Sequence, residues 1–337
     1  MDSFRSRVSK GVEQPRHAVS YLFQKITSLP RNVFRDASIL TSSRVSFGTN
    51  IFEKDWDVLI VLDTARCDTL SELEHEYEFL SDTDSIWSVG STSAEWMANT
   101  FSAKYLDEIS KTAYITSNPN SQTVLENQLS HRYQGDRSDL SKLRRYGNFD
   151  LVTPAKFGRY DPVWKQSKVD EKLKIYENYA VPRNVTDKAV HTMRNNDFKR
   201  VVLHYMPPHT PFIIDAIREE REPHEYEQRP WKYIRKTGDR SLPFKSHKEM
   251  LRWVLDDIKI LLENIPANKV AITADHGDAF GEFGTYGHPA GSLNPNVRRV
   301  PWVMTSATDT RSYVPDLEPD REEDEDIQEK LEALGYL

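Results

Sequence analysis

The chain has 337 residues, of which 38% are hydrophobic and 29% are charged. This length and apolar content exclude a mini-protein and a disordered chain, and they predict one large domain or two small ones. The single cysteine, Cys67, excludes an internal disulfide and a multi-cysteine zinc site. The formal net charge of -7 is unevenly distributed, because residues 1–50 are basic and residues 316–330 are strongly acidic.

Residues 1–50 are interpreted as a basic N-terminal helical extension. Hydrophobic residues fall at helical spacing between Val12 and Ile26, but polar residues interrupt the continuous apolar run that a signal peptide needs. We favour a helix whose apolar face packs on the body of the protein. The alternative is a helix that lies on an anionic membrane surface or on a partner. The longest aliphatic run, Val58–Leu62, is far shorter than the roughly 20 residues of a membrane span. We therefore expect a cytoplasmic protein whose membrane contact, if any, is peripheral.

Short apolar runs alternate with helical patterns between the two ends. They predict an α/β domain with a mostly parallel central sheet sandwiched by helices. We expect this domain over residues 51–312, with insertions near 135–182 and 215–245, followed by an acidic linker and C-terminal helix over 313–337. In chain order the predicted elements are the strand Trp56–Leu62, the helices Ala65–Tyr77 and Ser93–Lys104, the strand Ala113–Thr116, the helices Gln122–His131 and Asn184–Asn196, the strand Arg200–Met206, the helix His247–Ile265, and the strands Lys269–Ala274 and Val300–Thr305.

Side chains that can bind metal ions follow or accompany three of these strands. In an open α/β sheet, ligands bind beyond the carboxyl ends of the strands, so these side chains are expected to converge. Taken singly, Asp63 is better explained as a helix N-cap and His204 as a core histidine. Together, carboxylates and imidazoles at one sheet edge are costly as bare neighbours, and a divalent cation relieves that cost. The candidates for a metal site are Asp63, His204, His209, Asp275, His276 and His288.

A hydroxyl group at the start of a helix is the candidate nucleophile. Thr92 takes the N-cap position, and Glu95 three residues later completes the pattern of a capping box. A helix N-terminus and a nearby cation would both lower the pKa of a hydroxyl there, which favours nucleophilic attack. Thr92 and Ser93 are both candidates, with Ser91 behind them.

Four blocks in a fixed order resemble the alkaline phosphatase superfamily, and its sulfatase-like branch in particular. The first block, Val58–Asp68, has the Asp-x-x-Arg-x-Asp frame of the family, and the second, Ser91–Ser93, lies where the nucleophile is expected. The third is His204–Phe212, and the fourth combines Ala274–Gly277 with Gly287–His288. Each block is weak alone, and their order carries the resemblance.

The resemblance implies hydrolysis or transfer of a phosphoryl or sulfuryl group through a covalent enzyme intermediate. It also implies one or two divalent metals. A histidine at position 276, where a calcium-type site has an amide, favours Zn²⁺ or Mn²⁺ over Ca²⁺ or Mg²⁺. The family spacing to Phe101 favours Ser93 as the nucleophile, while the N-cap position favours Thr92. The residues carried over are Asp63, Asp275, His276 and His288 for the metal, and Arg66, His204 and His209 for the substrate.

The absence of one motif separates phosphate from sulfate chemistry. True sulfatases convert a residue in a Cys/Ser-x-Pro-x-Arg motif to formylglycine, and neither Cys67 nor any serine here has that pattern. We therefore predict action on phosphate mono- or diesters. The alternatives are a sulfate-ester hydrolase and an inactive member that binds an anionic glycan or lipid headgroup. The expected substrate is a small-molecule, glycan or lipid-headgroup ester, and no nucleic acid is expected, because the core is acidic. The sequence makes no prediction of oligomeric state.

Overall fold

The structure is a computed structural model that describes residues 33–44, 47–129, 138–165 and 181–317. The amphipathic helix predicted around Val12–Ile26 and the predicted C-terminal helix lie outside these residues, as does most of the acidic linker. Within the described ranges, no helix combines the length and the hydropathy that crossing a bilayer requires.

The strands form one seven-stranded sheet and one two-stranded hairpin in the described part of the chain. They are β1 (Val58–Leu62), β2 (Asp84–Trp87), β3 (Thr112–Thr116), β4 (Arg159–Pro162), β5 (Arg200–Tyr205), β6 (Ala267–Thr273), β7 (Ala279–Phe280), β8 (Tyr286–Gly287) and β9 (Arg299–Ala307).

The large sheet has the order β2-β9-β6-β1-β5-β3-β4. The five strands from β6 to β4 run parallel, whereas β9 pairs antiparallel with both β6 and β2. This topology confirms the predicted α/β fold with a mostly parallel sheet. The sequence analysis missed β2 and β4, which lie at the two edges of the sheet. Both are only partly buried and are short and polar, so neither has the apolar run by which a central strand is recognised.

Helices lie on both faces of the sheet. They are α1 (33–42), α2 (Cys67–Leu73), α3 (Ser93–Thr100), α4 (Leu106–Ile109), α5 (Ser138–Tyr146), α6 (Pro182–Asn195), α7 (Ile214–Arg218), α8 (Glu225–Gln228), α9 (Pro230–Thr237), α10 (Ser241–Leu262) and α11 (Pro295–Arg298). The predicted helix Gln122–His131 differs, because its described part, residues 122–129, contains only a short π-helical segment, Gln122–Glu126.

Alternate residues of β1 face two separate cores. Val58, Ile60 and Leu62 pack into a core that includes side chains of α2, α6 and α10. Leu59 and Val61 point the other way, into a core with α1 and α3. All five are fully buried, as expected of a central strand that is covered on both faces. The parallel pairing of β1 with β5 and β6 brings the carboxyl ends of these strands to one edge of the sheet.

A third, smaller core lies beside this edge. Residues 215–245, predicted as an insertion, form most of α7, then α8 and α9, and the start of α10. Ile234 of α9 and Met250 of α10 pack there against Phe212 and against Phe280 of the β7–β8 hairpin. Ile234 of this segment therefore packs with the hairpin that leads into His288.

Candidate active site

Two aspartates and a histidine meet at the carboxyl ends of three adjacent parallel strands. Asp63 directly follows β1, Asp275 lies just beyond β6, and His204 is in β5. One ligand atom from each residue lies within 4.8 Å of the others, and all three side chains are fully buried. The convergence predicted from the sequence is therefore present.

The donor atoms of this cluster fit a divalent cation. Asp63 Oδ1, Asp275 Oδ2 and His204 Nε2 are buried and make no hydrogen bond, although buried polar atoms are nearly always paired. The remaining polar atoms of His204 and Asp275 have partners. The Tyr114 hydroxyl lies 3.0 Å from His204 Nδ1, and the backbone N–H of His276 donates to Asp275 Oδ1 at 2.8 Å. Two carboxylate oxygens and an imidazole nitrogen form a donor set that suits Zn²⁺ or Mn²⁺.

His276 adds a second imidazole to the cluster. Its Nδ1 lies 3.1 Å from the carbonyl oxygen of Gly277, which makes Nδ1 the donor and leaves the Nε2 lone pair for the cluster. Nε2 lies 3.4 Å from Asp275 Oδ2 and 3.7 Å from Asp63 Oδ1. Burial lowers the pKa of His276 to about 4, so the ring is neutral at pH 7 and can act as a metal ligand.

The structure separates the two candidate hydroxyl groups. Ser93 Oγ donates to Asp63 Oδ2 at 3.1 Å and lies 3.3 Å from His276 Nε2. The Thr92 hydroxyl instead accepts from the Glu95 N–H at 3.1 Å and caps α3. Ser93 is thus part of the cluster, and Thr92 has the N-cap role that the sequence predicted as its structural alternative.

Ionisation of both Asp63 and Asp275 is energetically unfavourable in this buried cluster. Burial raises the pKa of Asp63 well above its usual value, and the neighbouring charges of Asp275 and Asp278 add to that effect. Hydrogen bonds from Ser93 and Asn118 work in the opposite direction but do not cancel it. A divalent cation at this position would favour ionisation of both carboxylates.

A second group of titratable residues lies beside the cluster. His288 Nδ1 is 2.7 Å from Asp278 Oδ1, and the His288 ring centroid is 4.4 Å from that of His276 and 5.3 Å from that of His209. Burial, together with the neighbouring His288 and His276, lowers the pKa of His209 to about 3. His209 is therefore neutral at pH 7.

Three solved structures are similar to the chain at low sequence identity. The soluble domain of lipooligosaccharide phosphoethanolamine transferase A from Neisseria meningitidis is 17% identical, with 75% of this chain and 77% of that chain covered and a TM-score of 0.44. The integral membrane form of that transferase is 15% identical, with 92% and 62% covered and a TM-score of 0.46. A protein provisionally assigned as a sulfatase from Bacteroides thetaiotaomicron is 13% identical, with 74% and 64% covered and a TM-score of 0.38.

The names of these structures are those of a phosphoethanolamine transferase and a sulfatase. No family model matches the chain, and no curated protein matches it. The chain spans 62% of the integral membrane transferase. The predicted cytoplasmic location stays a prediction.

Two residues at the candidate active site were missed by the sequence analysis. Asn118 lies just beyond β3, and its amide donates to Asp63 Oδ2. Its place after a buried strand is the same signal that identified Asp63. Asp278 stands in the Asp-His-Gly-Asp block itself, and its pairing with His288 shows only once the hairpin is folded.

The Arg66 guanidinium donates hydrogen bonds to other groups of the protein. Its Nε donates to Asp68 Oδ1 at 2.8 Å, and its Nη1 donates to Glu282 Oε1 at 3.0 Å and to the carbonyl oxygen of Asp278 at 2.6 Å. These bonds hold the loop of Asp278 against the start of α2. The substrate-binding role of Arg66 implied by the resemblance stays a prediction.

Glu95 joins the nucleophile segment to the loop after His288. Its buried carboxylate accepts from the N–H and hydroxyl of Ser91, at 2.9 and 2.7 Å. It also accepts from the Gly291 N–H and the Ser42 hydroxyl, both at 3.2 Å. The predicted capping box is therefore only half present, because the Glu95 side chain bonds the N–H of Ser91 and not that of Thr92.

Glu95→Ala is expected to lower the free energy of unfolding by about 3 kcal/mol, because two buried N–H groups lose their acceptor. Glu95→Gln keeps one acceptor oxygen and should lose less. Urea unfolding followed by circular dichroism measures both variants. A loss below about 1 kcal/mol for Glu95→Ala would contradict this role.

The buried His247 makes stability depend on pH. Burial lowers its pKa to about 4, against about 6.5 in the unfolded chain. As the pH falls, the unfolded chain takes up this proton first, so stability present above about pH 6.5 is lost towards about pH 4. When the pH is lowered from about 7 to about 5, the free energy of unfolding should fall by about 2 kcal/mol more in the wild type than in His247→Gln. Urea unfolding at both pH values tests this, and equal losses would refute it.

Proposed function

We propose that the chain is a metal-dependent hydrolase or transferase of phosphate mono- or diesters, with Ser93 as its nucleophile. The observation that carries the proposal is the position of the Ser93 hydroxyl, 3.1 Å from Asp63 Oδ2 and 3.3 Å from His276 Nε2 at the start of α3. A hydroxyl at a helix N-terminus and beside a cluster of unpaired metal donors is suited to nucleophilic attack.

Asp63, Asp275 and His276 would hold the cation, with His204 as a further ligand beside Asp275. A bound Zn²⁺ or Mn²⁺ supplies positive charge that favours the serine alkoxide and stabilises charge on the ester oxygen. The support for this ligand set is that Asp63 Oδ1, Asp275 Oδ2 and His204 Nε2 are buried and make no hydrogen bond.

The protein groups account for the proton and the order of bonds. The Ser93 hydroxyl donates to Asp63 Oδ2 at 3.1 Å, so that carboxylate lies where it can accept the serine proton. Ser93 Oγ forms a bond to phosphorus as the bond to the leaving oxygen breaks, and the proton taken from Ser93 passes to that oxygen, which gives a phosphoryl-serine and a free alcohol. A water or an acceptor hydroxyl then takes the phosphoryl group and gives its proton to Ser93 Oγ, which restores the serine.

His209 and His288 would contact the phosphate oxygens or hold a second cation. Asp278 orients His288 through the 2.7 Å contact to Nδ1. His209 is neutral at pH 7 because its pKa is lowered to about 3, which suits a ligand or a hydrogen-bonding group better than a general acid.

The sequence around Cys67 supports phosphate over sulfate esters, because it lacks the formylglycine motif. Its thiol donates to the carbonyl oxygen of Arg299 at 3.5 Å, and burial raises its pKa to about 11. The thiol is therefore protonated at pH 7, and it lies outside any formylglycine motif. The substrate remains a small-molecule, glycan or lipid-headgroup ester under this proposal.

Initial rates on three p-nitrophenyl substrates test the proposed function. The metal-stripped protein, alone and with Zn²⁺ or Mn²⁺, is assayed with p-nitrophenyl phosphate, bis-p-nitrophenyl phosphate and p-nitrophenyl sulfate. We expect metal-dependent turnover of a phosphate ester and little of the sulfate. Preferred turnover of the sulfate would support the sulfatase alternative. No turnover of any ester after metal addition would support the binding-only alternative.

A further inference from the structure

A concentrated basic surface lies beside the candidate active site. Residues 229–245, which cover α9 and the start of α10, contain six lysines and arginines against one acid, Asp239. All six basic side chains are exposed, although the whole chain has a net charge of -7. They are Arg229, Lys232, Arg235, Lys236, Arg240 and Lys245.

This basic surface borders the β7–β8 hairpin. Arg240 Nη2 donates to the carbonyl oxygen of Gly281 at 3.4 Å, and the Arg235 guanidinium lies 4.4 Å from the centre of the Tyr286 ring. The hairpin runs directly into His288. The exposed bases therefore lie against the hairpin that precedes His288.

A large aromatic side chain is exposed at the tip of the same hairpin. Phe283 is 77% exposed, and its backbone φ of 52° is in the left-handed region that bulky residues rarely adopt. Leu242 and Leu293 are also exposed, at 38% and 39%. The Asn294 amide donates to the carbonyl oxygen of Glu282 at 3.0 Å, which places the loop of Leu293 against the hairpin. Exposed apolar side chains thus adjoin the basic surface.

We propose that this surface, the hairpin face formed by residues 229–245, 279–287 and 293, binds the surface of an anionic lipid bilayer. Phe283 enters the boundary between headgroups and acyl chains, and the lysines and arginines lie against the lipid phosphates. Basic residues around an exposed aromatic are the combination that favours an anionic interface. A soluble polyanionic glycan would match the charge but would leave the exposure of Phe283 without a role.

The proposal goes beyond the phosphoester chemistry and does not rest on it. None of the exposed side chains of the hairpin face is a member of the Asp63–His204–Asp275 cluster. Asp275→Ala should therefore leave bilayer binding intact, which separates failure of this proposal from failure of the proposed function.

Vesicle flotation of the full chain tests the hairpin face. The vesicles are phosphatidylcholine alone, and phosphatidylcholine mixed with phosphatidylglycerol. The face variant carries Lys232→Glu, Lys236→Glu and Lys245→Glu. The matched control carries Lys54→Glu, Lys199→Glu and Lys269→Glu, which have the same charge change at the amino ends of the parallel strands. Both sets include lysines that pair with carboxylates, so their effects on folding are comparable.

We expect wild type and the control to float with the anionic vesicles and not with phosphatidylcholine alone. The face variant should lose at least about tenfold in partition coefficient, and Phe283→Ser should weaken binding with its thermal unfolding unchanged. High salt should weaken binding of the wild type.

Retained binding by the face variant would overturn the proposal and assign binding to another part of the chain, such as the basic residues 1–32. An equal loss in the control would also overturn it, since net charge alone would then explain binding. Wild-type binding to heparin without binding to anionic vesicles would overturn it in favour of a glycan partner.

Discussion

Asp275→Ala is expected to reduce turnover of p-nitrophenyl phosphate or its bis ester by at least about a thousandfold. The substitution removes one of the two carboxylates of the Asp63–His204–Asp275 cluster and thereby the charge that a cation needs there. Some stability should be lost as well, because the backbone N–H groups of Thr64 and His276 lose the acceptor Asp275 Oδ1, although repulsion with Asp63 is relieved. Initial rates with saturating Zn²⁺ or Mn²⁺ measure the effect, and circular dichroism checks the fold.

Asp257→Ala is the matched control for Asp275→Ala. Asp257 of α10 is also a buried aspartate, but its carboxylate forms an ion pair with Arg183 of α6 at 2.7 Å. Its loss should lower stability and leave turnover within about tenfold of wild type. Turnover by Asp275→Ala within about tenfold of wild type would contradict the assignment of the cluster.

Ser93→Ala and Thr92→Ala are expected to have opposite profiles. Ser93→Ala removes the proposed nucleophile and should lower kcat by at least about a thousandfold with little change in stability. Thr92→Ala removes the cap to the Glu95 N–H and should lower the free energy of unfolding by about 1 kcal/mol while much of the activity remains.

Steady-state rates and urea unfolding separate the two profiles. Acid quenching during turnover, followed by mass spectrometry, should find the phosphoryl group on the peptide that contains Ser93 and should not find it in Ser93→Ala. A reversed pattern, with the group on Thr92 and turnover retained by Ser93→Ala, would transfer the nucleophile role to Thr92.

The parts of the site that the sequence predicts are those with a local signal. Asp63 and Asp275 directly follow apolar runs that are buried on both faces of the sheet, and parallel pairing of β1 with β6 brings them together. Ser93 and Thr92 stand at a recognisable helix start, yet their roles depend on which hydroxyl turns towards Asp63. That orientation is settled by packing and has no sequence signal.

Other features depend on contacts between distant residues. Glu95 has the sequence position of a capping-box residue, but its carboxylate also accepts from Gly291, 196 residues further along the chain. The edge strands β2 and β4 have no apolar run, because they are only partly buried. The basic hairpin face shows in the composition of residues 229–245, whereas its position beside His288 follows only from the fold.

Calorimetric titration of Zn²⁺ and Mn²⁺ into the metal-stripped full chain tests the central claim most directly. The proposed site predicts saturable, stoichiometric binding of at least one of these cations at pH 7. Asp63→Asn and Asp275→Asn should each weaken that binding by at least about tenfold, while the distant Asp257→Asn should not. Absence of binding by either cation in the wild-type chain, or binding unchanged in both site variants, would contradict a metal centre built on Asp63 and Asp275.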